Sequence, residues 1–483
     1  MMWGTLGFQS LYLTKKHRMT ISRSILLGCA ILVSCMVQAP RLAAGEGFPP
    51  LIGQAPWENN DRILLLGEGY GYRVPAVLRA TFRKQQPGSG IVVDDAGCSL
   101  QNAPSLLAAH LTSGRYAVII ISFGSDAAGD TRKLEPDAYR EALRNLLRAA
   151  RAGGEVVVLV SPLPGEAAND KVKAIGTIGR ELASEEALAW VDLAEITTTP
   201  VLHNGSWSDS FIAAAGVPLA KAMNEGLSKA PWWIEMPPTL FLDSVVLVPI
   251  VHRVPAASIE LRVSTDGKDP NPQVKPPAKP LELRSTTMIK WLATHSDGTT
   301  QRGGARYEKA KLRLPDKIKD PLPGLMVDLF DGYAQKEITA TAPAPRTASW
   351  LGVDYDVLGQ ARLQPIPDEN FTLRFRGYLS APEDGVYEFQ LRGDDGIVLR
   401  IGDEQIAATP GGWGTTQATG QIALKQGVHQ TTIMHWQSRW GRELSVMWRL
   451  QGGRFQPIPD MAWVRPAKDI PPVLATPPAA PAK

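Results

Sequence analysis

Two adjacent carboxylates, Asp394 and Asp395, followed by Gly396, are the sharpest chemical feature of this chain. Neighbouring acids on a loop offer several oxygens to a hard cation such as Ca²⁺, which seeks about six to eight of them. The same residues also suit a polar turn capped by aspartate hydrogen bonds. Residue type alone leaves both readings open. A second feature is defined by what it lacks. "RILLLGEGYG", Arg62 to Gly71, is a leucine-rich run that ends in glycines and leads into the helix-like "RVPAVLRATFRK". Open α/β sheets place their working residues at the carboxyl end of such a strand. Yet the tip, Gly67-Glu68-Gly69, carries no nucleophile. Ser125, in "SFGSDAAGD", could replace it with His203 or His110 as base. Pro200, not an aspartate, stands three residues before His203, so the spacing supplies no triad.

The elements around these residues divide the chain. Residues 61–230 alternate apolar runs ("RILLLG", "GIVVDD", "YAVIIISFG", "EVVVLVSP", "LAWVDLA") with amphipathic segments. In "AYREALRNLLRAARAGG", Leu143, Leu146, Leu147 and Ala150 recur at helical spacing, and Arg140, Arg144, Arg148 and Arg151 take the opposite, solvated face. Gly153-Gly154 ends that helix. Five short apolar strands with crossover helices predict a parallel sheet covered on both sides. After "SKAPWWIEMPP" the pattern becomes strands and turns, with hairpin signals at Asp266-Gly267 and Asp297-Gly298. A third region, from about Pro323 to Pro466, alternates strongly in "FTLRFRGYLSAP", "GVYEFQLRG" and "ELSVMWRLQ". The Pro/Ala-rich tail, 467–483, predicts an extended or disordered end.

Composition narrows the function classes. Hydrophobic residues at 44% and charged residues at 20% describe a globular chain. Five basic residues and no acid lie in residues 1–44; the other 46 of the 51 Lys and Arg face 48 Asp and Glu. A nearly neutral body gives no reason to expect nucleic acid as a partner. The segment 1–44 reads as an export signal, with a basic "KKHRMTISR" before an apolar "SILLGCAILVSCMV". Met19 could be the true start. "LVSC" resembles a lipoprotein box that would place a lipid, and hence a membrane anchor, on Cys35; cleavage after Ala39 or Ala44 would release a soluble protein instead. An uncleaved anchor helix is the third reading. Cys29 and Cys35 belong to this segment, so Cys98 would be left with no intrachain disulfide partner.

With the blocks "GEG", "DDAGCSLQN", "SFGSDAAGD" and "VLHNGSWSDSFIAAAGVPLAKAM" in place, residues 62–229 resemble the SGNH/GDSL hydrolases, esterases on a flavodoxin-like sheet. The resemblance implies a nucleophilic serine where this chain has Gly69, an oxyanion-hole amide at Gly97, and an oxyanion-binding Asn where Asp126 stands. It implies an acid and a base at Asn204 and Trp207. Glycine has no attacking atom, and indole accepts no proton. A carboxylate at Asp126 would repel the oxyanion that an amide would stabilise. The resemblance therefore implies a hydrolase scaffold without its chemistry.

Residues 240–312, through "RVSTDGKDP", "STTMIKWLA" and "DGTT", are similar to the small β-sandwich that ends chitobiases and hexosaminidases. Residues 323–465, through "PGLMVDLFDG", "DDGIVLRIGDEQI" and "GQIALKQGVHQTTIMHW", resemble the protective-antigen (PA14) domain. Several members of that family bind glycans, and in the lectin-like ones an Asp-Asp pair holds the Ca²⁺ that grips sugar hydroxyls. That implies Ca²⁺ at Asp394 and Asp395. Trp413, in the glycine-rich "TPGGWGTTQ", is the candidate for stacking on a sugar ring, while Trp436, Trp440 and Trp448 read as core. The expected architecture is multidomain: a signal at 1–44, a three-layer α/β domain at 45–232, and two all-β sandwiches at 233–322 and 323–466. The expected function is that of an exported envelope or secreted protein that binds glycan and does no catalysis. The alternative is a carbohydrate esterase with a rearranged site.

Overall fold

The computed structural model describes residues 57–68, 73–112, 114–124, 134–162, 170–196, 202–203, 206–237, 239–273, 275–276, 279–332, 344–439 and 441–467, without the side chains of Arg73, Ala194, 202–203 and 206–207. Strands β1 (Arg62–Gly67), β2 (Val92–Gly97), β3 (Tyr116–Ser122), β4 (Gly154–Val160) and β5 (Ala189–Val191) form one parallel sheet in the order β2-β1-β3-β4-β5. Both faces are apolar, as the unbroken runs require. Ile63 and Leu65 join Val118 and Ile120 on one face, beneath helices α1 (Arg73–Gln85) and α5 (Asp209–Leu227). Leu64, Leu66, Ile119 and Ile121 line the other, against α2 (Ala103–Thr112), α3 (Pro136–Gly153) and α4 (Asp170–Glu185). Burying each such leucine or isoleucine contributes about 1.5–3 kcal/mol, which makes this three-layer core the main source of stability here. β2 is an edge strand.

The arginines of α3 are not merely solvated. Arg140 pairs with Glu181 and Glu185, Arg144 with Glu185 at 2.7 Å, and Arg148 and Arg151 with Glu186, all on or just after α4. These pairs are exposed and screened by solvent, so each contributes little beside the apolar packing of α3 and α4.

In the middle region a sheet takes the order Ile259–Ser264, Thr287–His295, Thr300–Lys309, Thr239–Phe241. Asp297-Gly298 is the hairpin turn between its second and third members, with Asp297 accepting from the Thr299 amide at 2.8 Å. Asp266-Gly267 is a turn but not a hairpin. Ile259–Ser264 pairs with Thr287–His295, so the chain leaves the sheet before returning.

The last region is a sandwich. One sheet carries Thr415–Leu424, Gly385–Asp394, Glu443–Leu450 and Gln456–Pro457; the other is built on Phe371–Ala381, Gly427–Gln437, Gly396–Ile401 and Glu404–Ala408. Phe371, Phe375, Phe389, Leu391, Ile397 and Ile433 fill the space between them. Trp436 and Trp448 are buried, as their strand context predicts, and Trp440 lies outside the described residues. Among the described residues, no helix is long and apolar enough to cross a membrane.

Candidate functional site

The carboxyl edge of the parallel sheet is tightly bound up. Gly67 takes a φ of +134°, and a side chain there would strike the Ser122 carbonyl at 1.9 Å, so only glycine allows β1 and β3 to end so close together. The Glu68 amide donates to Ser122 O (2.8 Å), and its carboxylate accepts from the Gly124 amide (3.0 Å). Gly97, the candidate oxyanion donor, gives its N–H to the carbonyl of Trp413 at 2.8 Å. The Trp413 amide returns a bond to Gly97 O at 3.1 Å. A loop of the sandwich thus makes one isolated antiparallel bridge to the end of edge strand β2, at Gly97.

The remaining sequence candidates are scattered. Gly69, Ser125, Asp126 and Asn204 lie outside the described residues. For His203 and Trp207 only the backbone is described, as two short antiparallel segments before α5. His110 is fully buried and bonded through Nδ1 to the Tyr116 hydroxyl at 3.0 Å. Tyr116 begins β3, so this imidazole sits toward the amino end of the strands, away from Gly67 and Gly97. Burial pushes its pKa down to about 4, which leaves it neutral. Cys98, next to Gly97, is also buried. Burial first, then the charges of Glu68 and Asp95, push its thiol up to about 12, so it is no thiolate nucleophile.

The acidic pair stands where the chain crosses between the two sheets of the sandwich. Asp394 ends one strand and Gly396 starts another in the opposite sheet, and the Asp394–Asp395 peptide is cis. Neither carboxylate is an exposed turn residue: Asp394 is 6% and Asp395 1% exposed. Asp395 accepts from the Gly414 amide at 3.1 Å and from the Ser438 amide; Asp394 accepts from the Thr415 hydroxyl at 3.4 Å. Gly414 and Thr415 immediately follow Trp413, whose own residue is 55% exposed. The acidic pair and the tryptophan loop are therefore one constellation.

β2 supplies two more carboxylates to it. Asp94 is well satisfied, accepting from Arg62 (2.7 Å), from the Tyr116 hydroxyl (2.8 Å) and from the Gln417 amide of the sandwich (3.1 Å). Asp95 lies against Gly414. Burial raises the Asp394 carboxyl to about 8, helped by Asp395 and Asp95. Burial raises Asp95 to about 7 against the pull of Arg79, and Asp395 to about 6 against its two backbone donors. Arg79, itself largely buried, is the opposite charge that faces Asp95 and Asp394, and the two adjacent carboxylates of the pair offer the oxygens a hard cation takes. Asp394 and Asp395 are the residues that would hold Ca²⁺ there.

Residues 333–453 match the PA14 domain. A PA14 sugar-binding domain from an RTX adhesin is 19% identical, with 30% of this chain on 99% of that one and a TM-score of 0.25. The epithelial adhesin 9 A domain of Candida glabrata, solved with Galβ1-3GlcNAc, is 13% identical over 32% of this chain and 96% of that one, with a TM-score of 0.26. Over the α/β region, a lipolytic protein of the G-D-S-L family from Desulfitobacterium hafniense is 17% identical, covering 34% and 99%, with a TM-score of 0.28. No curated protein sequence matches the chain. The strand order of the parallel sheet itself, 2-1-3-4-5, is the flavodoxin-like order.

Sequence reasoning singled out Gly97, Trp413, Asp394 and Asp395 separately, and the structure brings all four together. It passed over Asp95 and Arg79. The signal was present: "GIVVDDAG" places two acids inside a strand of a parallel sheet, where apolar residues are the rule. A second acidic group, Glu58, Asp61 and His252, gathers its ligand atoms within 4.8 Å. Arg253 already fills it, donating to Asp61 at 2.9 and 3.1 Å and through its amide to Glu58 at 2.6 Å. That cluster is an ion-pair clasp between the α/β and middle regions.

Proposed function

We propose that this chain is an exported glycan-binding protein whose PA14 domain holds Ca²⁺ at Asp394–Asp395 and presents Trp413 to sugar, and whose SGNH-like α/β region is a scaffold without hydrolase chemistry. The observation that carries the reading is the joining of an exposed aromatic ring to the acidic pair through Gly414. A Ca²⁺ ion with free coordination positions can take vicinal hydroxyls, and an indole face beside it offers apolar stacking. Such an arrangement gives a pyranose both a polar and an apolar contact.

The inactive-scaffold half is supported from two sides. No serine stands at position 69. The Gly97 amide, which the family uses toward an oxyanion, already donates to Trp413 O. An oxyanion donor must be aimed at empty space where charge develops, and this one is occupied.

The calcium half is tested by melting the full chain with millimolar Ca²⁺ or with chelator. A cation at ~100 times its dissociation constant should add about 2.7 kcal/mol to the wild type. Asp395→Asn should remove that gain. Identical melts of the wild type with calcium and with chelator would leave Asp394–Asp395 as a buried structural pair and remove the metal route to sugar.

A further inference from the structure

The seam between the α/β region and the PA14 domain closes on one residue of the sandwich. Trp413 is exposed, yet its backbone is pinned from outside its own domain. Its carbonyl accepts from the Gly97 amide at 2.8 Å and its amide donates to Gly97 O at 3.1 Å, so both of its backbone polar groups are paired with β2. Next along the loop, the Gln417 amide donates to Asp94 at 3.1 Å, and Arg79 of α1 reaches the Thr415 carbonyl at 3.5 Å. A methyl built on Gly412 would fall 3.1 Å from the Leu106 side chain of α2, so that glycine lies close against the helix. Three elements of the α/β region thus grip residues 412–417.

The loop's own sequence would not hold the ring still. Gly411, Gly412 and Gly414 surround Trp413, all with φ between +87° and +127°. Glycine has the most backbone freedom to lose on ordering. A tryptophan set among three of them samples many directions unless something outside the loop fixes it. Gly97 can do so because it has no side chain. The three atoms nearest to a Cβ added there all belong to Trp413, with its carbonyl oxygen at 2.8 Å and its Cβ at 3.2 Å. We infer that Gly97 is a positioning residue of the sugar site, and that the α/β region serves to preorganise Trp413 for stacking. This rests on the proposed contact of Trp413 with sugar, and it gives the hydrolase-like scaffold a task other than catalysis.

A ring already in place carries no ordering cost when the ligand arrives, so preorganisation appears directly in affinity. Ordering the backbone of one residue is enough to change a binding constant about tenfold. Gly97 itself lies outside the left-handed region, so alanine there adds no backbone strain of its own. Its effect falls first on Trp413.

The test is ¹⁹F NMR of the full chain carrying 5-fluorotryptophan, with the Trp413 resonance assigned from Trp413→Phe, beside a printed glycan array in millimolar calcium. In Gly97→Ala the Trp413 resonance should move toward that of a mobile, solvated ring, and the concentration for half-maximal array binding should rise about tenfold. Gly176→Ala on α4, whose new methyl meets nothing closer than Pro162 at 4.0 Å, should leave both as in the wild type. Wild-type resonance and wild-type array binding in Gly97→Ala would overturn the positioning role while leaving the sugar site intact. A loosened Trp413 with undiminished glycan binding would overturn it equally. A wild type that binds no glycan would overturn the proposed sugar site and this inference with it. Should Gly97→Ala fail to fold, Leu106→Ala decides in its place: it removes the side chain against Gly412 without a clash, and should loosen Trp413 and weaken array binding in the same direction.

Discussion

Gly414→Ala probes the seam most sharply. Gly414 has a φ of +127°, a region that residues with a side chain scarcely enter, at a cost of about 1–3 kcal/mol. The added methyl would meet Asp95 Oδ2 at 2.6 Å and the Asp95 carbonyl at 2.8 Å. The carboxylate could turn away, but the carbonyl belongs to β2 and cannot. Such overpacking costs about a further 1–3 kcal/mol. The expected loss is about 2–6 kcal/mol, confined to the docking of the tryptophan loop. Even the lower figure raises the opening constant roughly thirtyfold, at about tenfold per 1.4 kcal/mol. The readout is exchange of the amides that cross the seam: Gly97, Trp413 and Gln417. Gly411→Ala is the control, because Gly411 also has a positive φ (+87°) but no atom within 4 Å of the new methyl. Its backbone strain should be about 1–2 kcal/mol, with no effect on β2. Equal acceleration of Gly97 exchange by both substitutions, or by neither, would refute the reasoning.

Three further outcomes are expected. Arg253→Ala removes the guanidinium from buried Asp61 and Glu155 (2.6 Å) and should cost about 3–5 kcal/mol in chemical denaturation, since two carboxylates are left uncompensated. His252 should lend a pH dependence of the opposite sign to acid denaturation: burial works to lower its pKa, but its contacts with Glu235 and Glu58 (2.7 Å) outweigh that and raise it. Its contribution is then fully present below the unfolded value near 6.5 and fades as pH climbs through the higher folded value, so a melt series above neutrality should flatten in His252→Gln. Finally, the chain should hydrolyse short acyl esters no faster than a heat-denatured control; turnover abolished by Ser125→Ala would instead favour the rearranged esterase.

The sequence made the local elements legible and the seam invisible. The five strands of the parallel sheet announce themselves as apolar runs, and Leu143, Leu146, Leu147 and Ala150 announce α3, because periodicity within about fifteen residues encodes which face is buried. Trp436 and Trp448 could be assigned to the core on the same local grounds. The Asp394–Asp395 pair was visible as a motif, but its burial was not: whether an acidic pair faces water depends on what the rest of the fold brings against it. The Asp94–Gln417 contact joins residues 323 positions apart, and no local pattern in either segment points to the other. The arginines of α3 show the same limit. Their stripe is readable, but the glutamates of α4 that meet it are known only once the helices are packed.

The most direct measurement is a glycan array probed with the full chain in millimolar calcium and in chelator, for wild type, Asp395→Asn and Trp413→Ala. Binding of a defined set of glycans by the wild type in calcium is expected. It should vanish in chelator and in Asp395→Asn, and Trp413→Ala should weaken it by about 1 kcal/mol or more through the lost stacking surface. Glycan binding that is indifferent to calcium and to both substitutions, or no binding to any glycan by a folded wild type, would contradict the account.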